Sequence, residues 1–325
     1  MGETTGLQID LEVLREFERG LDPQHPERSK VPARILGYGE ISTVFEIQAE
    51  PMRGLACKRL PIFRTVEEMV RYEAVYEEYT RLLQEVGIAL PPHTHAALLN
   101  DAGQPVFYII QQELPHASLG HRAIHLLPRE QALTFARRVF EELGKVWRFN
   151  RRQRHLQIGL DGQASNWSLV GLDPQCPTCG AETPLLYVDT STPLFRRDGV
   201  EQLDPELFLR SAPSFLAWLL RLFFLKDVVD RYYDLHRVAV DLIANMYKEQ
   251  RPDLIPDLIA AANDHFAGEP ELAVGPITAQ EVRAYYREDA MIWRLYLAMR
   301  KVDRAIRIRL LRGRYPYILP EQVRR

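Results

Sequence analysis

The stretch from Ile158 to Ser191 constrains this chain more than any other. Asp161 stands five residues before Asn166, and a hairpin-like insertion then leads to Leu185-Leu-Tyr-Val188, an apolar segment that ends in Asp189. Hard cations take oxygen ligands and shed water reluctantly. An amide oxygen and a carboxylate brought to one point can therefore hold magnesium against a chain of phosphates, while the earlier aspartate orients an acceptor hydroxyl. That is the layout of a phosphoryl-transfer site, and it requires a loop and a strand end to meet beside a nucleotide.

Such a site needs phosphate-binding elements upstream. Ala33 to Ile47 alternates around a glycine pair, as two strands joined by a tight loop would, in the pattern Gly37-x-Gly39-x-x-Ser42-x-Val44. Glycines let a backbone approach phosphates closely, and successive amides can donate to their oxygens. Fourteen residues after Val44, on a second strand-like stretch, Lys58 follows Ala56 and Cys57. Its ammonium is placed to reach the same phosphates.

Leu36 to Val44 resembles the glycine-rich loop of the protein-kinase-like superfamily, and Ala56-Cys57-Lys58 resembles its nucleotide-binding lysine motif. Ser42 replaces the third glycine, a departure shared with small-molecule members related to aminoglycoside and choline kinases. The resemblance implies an α+β, two-lobed protein-kinase-like fold: a small antiparallel-sheet lobe over residues 1–115 and a mainly helical lobe over 116–325. It also implies that a glutamate on the helical pattern from Thr65 to Val86 pairs with Lys58; Glu77 is the first choice and Glu73 the alternative. Thr65 with Glu68 reads as a capping box for that helix. Val106 to Pro115 takes the place of the strand and hinge between lobes, with the backbone of Gln112 to Leu114 at the adenine edge and Gln111 behind it. Asp161 falls at the catalytic-loop position and Asn166 and Asp189 at the metal positions, although Gly159 stands where relatives carry a histidine and Thr190-Ser191 follow Asp189 in place of an aromatic and a glycine.

The rest of the chain adds exclusions. Forty-one basic residues against 44 acidic ones give no global field for nucleic acid or a membrane surface. The longest apolar run, Phe215 to Leu225, carries Arg221 and falls short of the ~20 residues a membrane helix needs. Three cysteines make no disulfide framework, and the amino terminus lacks a basic segment followed by an apolar one, so a cytoplasmic location is expected. Cys176-Pro-Thr-Cys179 looks like half a zinc ribbon but lacks partners, and a hairpin tip without zinc is preferred. Arg148, Arg151, Arg152, Arg154 and His155 form a basic cluster before the catalytic loop. Helical patterns are expected over 9–19, 128–150, 207–229, 232–247 and 285–312, with a basic tail from Arg294.

The expected function is ATP- and magnesium-dependent transfer of phosphate to a hydroxyl of a small molecule, with Asp161, Lys58 and Glu77 catalytic, Gly37, Gly39, Ser42, Lys58, Gln112 and Leu114 on the nucleotide, and Asn166 and Asp189 on the metal. Gly159 and Thr190-Ser191 leave open a pseudokinase-type nucleotide- or partner-binding module. AMP transfer by the same fold is a further alternative.

Overall fold

In the computed structural model the described residues are 7–22, 25–38, 42–204, 206–209 and 229–292. Five antiparallel strands form the larger sheet: β1 (Ala33–Tyr38), β2 (Thr43–Ile47), β3 (Leu55–Leu60), β4 (His93–Leu99) and β5 (Pro105–Gln112), in the order β1-β2-β3-β5-β4. Alternation along β3 sorts its side chains. Cys57 packs with Phe45, Tyr108 and Ile110 on one face, and Leu60 packs with Phe107 and Ile109 on the other.

Each face is covered by one helix. Helix α1 (Leu11–Gly20) starts where the Asp10 carboxylate accepts from the amides of Glu12 and Val13 at 2.9 and 3.1 Å, and it buries Leu14 and Phe17 against the first face. Glu18 on the same helix takes both Arg59 donors at 2.8 and 2.6 Å and also accepts from the Tyr108 hydroxyl. Helix α2 (Val66–Val86) lays Met69, Tyr72 and Tyr76 on the second face. The Thr65 hydroxyl caps it at the Glu68 amide, 3.3 Å away, as expected, but the Glu68 carboxylate turns to the Arg64 amide at 2.8 Å. Gly87, with φ 90°, ends the helix in a left-handed turn that a side chain would strain.

Beyond the strand β5 the architecture is mainly helical: α3 (Gly120–Leu126), α4 (Arg129–Arg152), a four-residue α5 (Glu206–Leu209), α6 (Leu235–Lys248), α7 (Ile255–Ala267) and a helical run over 279–292. Short strands lie among them: β6 (Leu156–Ile158), β7 (Trp167–Leu169), β8 (Leu185–Tyr187), β9 (Phe195–Arg197) and β10 (Val200–Glu201), paired as β10-β9-β6 and β7-β8. Their core joins α3, α4, α6 and α7, and the end of α2 reaches it through Tyr79, Leu82 and Leu83. The fold is α+β, a small antiparallel sheet followed by a helical region, consistent with the two-lobed arrangement expected from the sequence.

Some boundaries differ. The helix expected over 232–247 begins at Leu235, because the Asp234 carboxylate caps the amides of His236 and Arg237 and residues 231–233 form a 3-10 turn instead. Most of the helix expected over 207–229, the apolar run Phe215 to Leu225, the helix beyond 292 and the basic tail from Arg294 lie outside the described residues.

Candidate functional site

The β7–β8 hairpin builds one end of the site. Trp167 pairs with Tyr187, and the Val188 amide donates to the Asn166 carbonyl at 2.9 Å, so Asn166 and Asp189 emerge together just past the paired residues. From the sheet, Lys58 lies opposite Ile109 of β5, on the face that α2 covers. Its Nζ donates to Asp189 Oδ1 at 2.8 Å and to Ser191 Oγ at 3.1 Å, and Ser191 Oγ donates in turn to Asp189 Oδ1 at 2.7 Å. Residues 131 positions apart are thus joined across the two regions. Gln111 adds a second tie, donating from Nε2 to the Val188 carbonyl at 3.2 Å. Burial works to raise the Asp189 carboxyl, but the Lys58 charge and hydrogen bond, helped by Ser191, outweigh it and hold the group below the ordinary carboxylate value.

Asp161 lies in the opposite electrostatic situation. Its Oδ1 accepts from the Gln163 amide at 3.1 Å, while burial, then Asp241 and Asp189, push its carboxyl up to about 7 against the pull of Arg231. Gln163 links this loop to α6: its Nε2 donates to Asp241 Oδ2 at 3.2 Å, and its Oε1 accepts from Lys248 at 3.3 Å. Asn166 Nδ2 donates to the Asp161 carbonyl at 3.3 Å, and its Oδ1 accepts from the Ser165 hydroxyl at 3.5 Å. The loop is held from above as well, since Tyr79 of α2 donates to the Gly159 carbonyl at 3.0 Å.

Gly159, where the resemblance leads one to expect a histidine, has a packing reason. A Cβ there would meet the Tyr232 carbonyl and the Tyr233 ring, all at 3.1 Å. The Leu160 amide donates to that same Tyr232 carbonyl at 3.1 Å. The turn before α6 therefore rests where a larger side chain would stand.

The pairing of Glu77 with Lys58 that the resemblance implies is not made. Glu77 is 60% exposed and lies 3.5 Å from His95, and Glu73 also meets His95, at 2.9 Å. The cause is which face of α2 meets the site. Tyr72, Tyr76 and Tyr79 share the buried stripe, and Glu73 and Glu77 follow them by one residue, about 100° around the helix. Tyr72 donates to the Ser191 carbonyl at 2.8 Å, so a tyrosine occupies the approach a glutamate would need.

At the other expected positions, a Cβ on Gly37, which pairs with Val44 near the end of β1, would meet nothing within 4 Å. Ser42 is buried at the start of β2, and Gly39 lies outside the described residues. In the connection after β5, the amides of Gln112 and Glu113 are taken by the carbonyls of Pro92 and Gly54 at 2.9 and 2.7 Å. Among the described residues no backbone carbonyl takes the Leu114 amide. Cys179 is buried, with its amide on Gln131 at 2.8 Å, whereas Cys176 is exposed. Among the described residues no group of three or more His, Cys, Asp or Glu side chains is arranged to hold a metal ion.

Three residues at this site went unread in the sequence: Asp241, Gln163 and Arg231. Asp241 did leave a signal, as a lone carboxylate inside the apolar run Val238 to Ile243. Charged residues are seldom fully buried without a partner.

Residues 23–305 match the model of DUF6206, a family of unknown function. The chain belongs to that family. No curated protein matches the sequence. Among solved structures, a chain described as WaaP in complex with acyl carrier protein is similar over 74% of this chain and 89% of that one, at 13% identity and a TM-score of 0.33. A superposition that loose has no bearing on the chemistry of this DUF6206 chain. No helix among the described residues is long and apolar enough to cross a membrane.

Proposed function

We propose that this DUF6206 chain is an ATP- and magnesium-dependent phosphotransferase acting on a hydroxyl of a small molecule. The observation that carries the reading is the Lys58–Asp189 contact of 2.8 Å, which joins the sheet region to the hairpin that also presents Asn166.

The residues present fit the groups the reading requires. Asp189, held as an anion, and the amide oxygen of Asn166, which the Ser165 hydroxyl touches at 3.5 Å, are hard oxygen donors of the kind that suits magnesium. The open space beside Gly37 in β1 and the Lys58 ammonium suit a phosphate chain, and the Leu114 amide suits an adenine edge. Bound magnesium would neutralise phosphate charge. Lys58 would exchange its bond to Asp189 for phosphate oxygens. Asp161, with its raised carboxyl, would accept the proton of the acceptor hydroxyl near neutral pH. The tyrosine stripe of α2 takes over the bracing of the site, through Ser191 and Gly159.

A second reading has one observation in its favour. Lys58 lacks the helix glutamate, which fits a module that binds nucleotide or a partner without turnover. Incubation with ATP, magnesium and a panel of hydroxylated small molecules, read by product mass, separates the possibilities. A gain of one phosphate supports the proposal, a gain of AMP identifies nucleotidyl transfer, and nucleotide binding without product identifies the module. An Asp161→Ala chain as active as the parent would remove Asp161 from its role.

A further inference from the structure

Arg231 is the candidate that the proposed function leaves unused. It sits in the turn before α6, whose neighbouring carbonyl, Tyr232, accepts from the Leu160 amide at 3.1 Å and occupies the space above Gly159. The turn is thereby fixed against the residues that lead into Asp161.

The guanidinium is enclosed and oriented by hydroxyls. NH1 donates to the Tyr285 hydroxyl oxygen at 3.1 Å, NH2 donates to the Tyr232 hydroxyl oxygen at 2.8 Å, and the Tyr232 ring centroid lies 4.8 Å from the guanidinium carbon. The Asp289 carboxylate stands off at 3.7 Å from NH1. Arg231 Nε is buried and has no hydrogen-bond partner. A buried donor left unmatched costs about 1–3 kcal/mol, so its retention calls for an acceptor that arrives with a ligand.

The surroundings indicate which acceptor. The charge of Arg231 bears on both Asp161 and Asp241, so it lies on the acceptor side of the site, among carboxylates. A phosphoryl group that reached a hydroxyl beside Asp161 would meet the charges of Asp161, Asp241 and Asp289. Among the described residues, Arg231 and Lys248 are cations whose charges act on Asp241, and Lys248 already donates to Gln163 at 3.3 Å. Guanidinium groups are suited to phosphoryl oxygens because their donors are planar and fixed.

Building on the phosphotransferase reading, we infer that Arg231 is a catalytic residue that donates its Nε–H to an oxygen of the phosphoryl group as that group arrives at the acceptor. In balanced terms, the bond from the γ-phosphorus to the bridging oxygen of ATP breaks and its electron pair leaves with ADP. A bond forms from the acceptor oxygen to phosphorus, and the hydroxyl proton passes to Asp161. Arg231 exchanges no proton and acts through its charge and the Nε–H hydrogen bond.

The test uses the full chain labelled with 15N-arginine, with the Arg231 Nε–H resonance identified by its loss in Arg231→Lys. That substitution keeps a positive charge between the carboxylates and so protects folding. Inorganic phosphate is titrated first, then ADP with magnesium and aluminium fluoride. The Arg231 resonance is expected to shift with phosphate and to shift further with the fluoride complex. Arg231→Lys should lower ATP turnover by about 100-fold or more while the KM for ATP stays within about threefold. A resonance unmoved by both probes overturns the inference, and so does a lysine variant that turns over at the parental rate. Failure of the phosphotransferase reading looks different: no turnover and no magnesium-dependent ATP binding, with the Arg231 resonance still answering to phosphate.

Discussion

Asp189 and Asp161 stand at the two sides of one candidate site, both half-buried, and their carboxyls are driven in opposite directions. Asp189 has an ammonium at 2.8 Å and a hydroxyl at 2.7 Å, and these outweigh the effect of burial. Asp161 has a single backbone amide at 3.1 Å and two further carboxylates nearby, and burial prevails. Burial alone therefore sets neither value; the partner within hydrogen-bond reach decides. The pair also divides the chemistry. A fixed anion suits a cation ligand, and a carboxyl poised near neutrality suits proton exchange.

The comparison can be broken most forcefully at Lys58. Replacing it with methionine leaves Asp189 enclosed without its cation, and unfolding in urea at pH 7 should show a loss of about 2 kcal/mol, discounted from the 3–5 typical of fully buried pairs because both side chains retain some exposure. The sign of the pH dependence follows from the lowered Asp189 value. Its contribution is present above the ordinary carboxylate pKa and fades as the pH falls through the folded value, so parent and variant should converge below about pH 4.

Asp161→Asn probes the other half and should act in the reverse sense. A carboxyl raised in the folded state disfavours folding once it must ionise, an effect absent below the unfolded value of about 4 and complete above about 7. The asparagine variant should therefore gain stability, on the order of 1–3 kcal/mol at pH 8, and gain nothing at pH 4. Thermal midpoints across that range would show it. Equal midpoints at both pH values would mean that the two aspartates do not differ as described.

Smaller changes sharpen the contrast. Gly159→Ala places a Cβ 3.1 Å from the Tyr232 carbonyl and the Tyr233 ring, tighter than ordinary packing, and should cost about 1 kcal/mol while leaving ATP affinity unchanged. Tyr72→Phe removes one hydrogen bond, to the Ser191 carbonyl, and should cost about 1 kcal/mol or less, with the effect confined to the Asp189 side. Amide hydrogen exchange would locate both responses: around residues 159–161 for the first and 189–191 for the second.

Local chemistry explains what the sequence disclosed. Thr65 before α2 marks a helix start because its side chain satisfies a free amide, and the strand β5 reads as buried because both of its faces are covered. That Lys58 and Asp189 belong to one site was legible only from motif order, since 131 residues separate them, and their direct contact was not expected. What could not be read depends on rotation and long-range packing. A one-residue offset around α2 decides whether a tyrosine or Glu77 faces the site; the apolar spacing of Tyr72, Tyr76 and Tyr79 marks the buried face, and the resemblance pointed instead to Glu77. Asp241 and Arg231 join Asp161 only because a turn 73 residues away docks on Gly159. The strands β6, β9 and β10 are two or three residues long, too short for alternation to register.

The central claim is a magnesium-dependent nucleotide site formed by Lys58, Asn166 and Asp189, and calorimetric titration of ATP tests it most directly. The parent chain is predicted to bind ATP with magnesium and far more weakly without it, and Asp189→Asn and Lys58→Met are each predicted to lower the affinity by about 100-fold or more. A parent chain that takes up no ATP in the presence of magnesium, or variants that bind it as the parent does, would contradict the account.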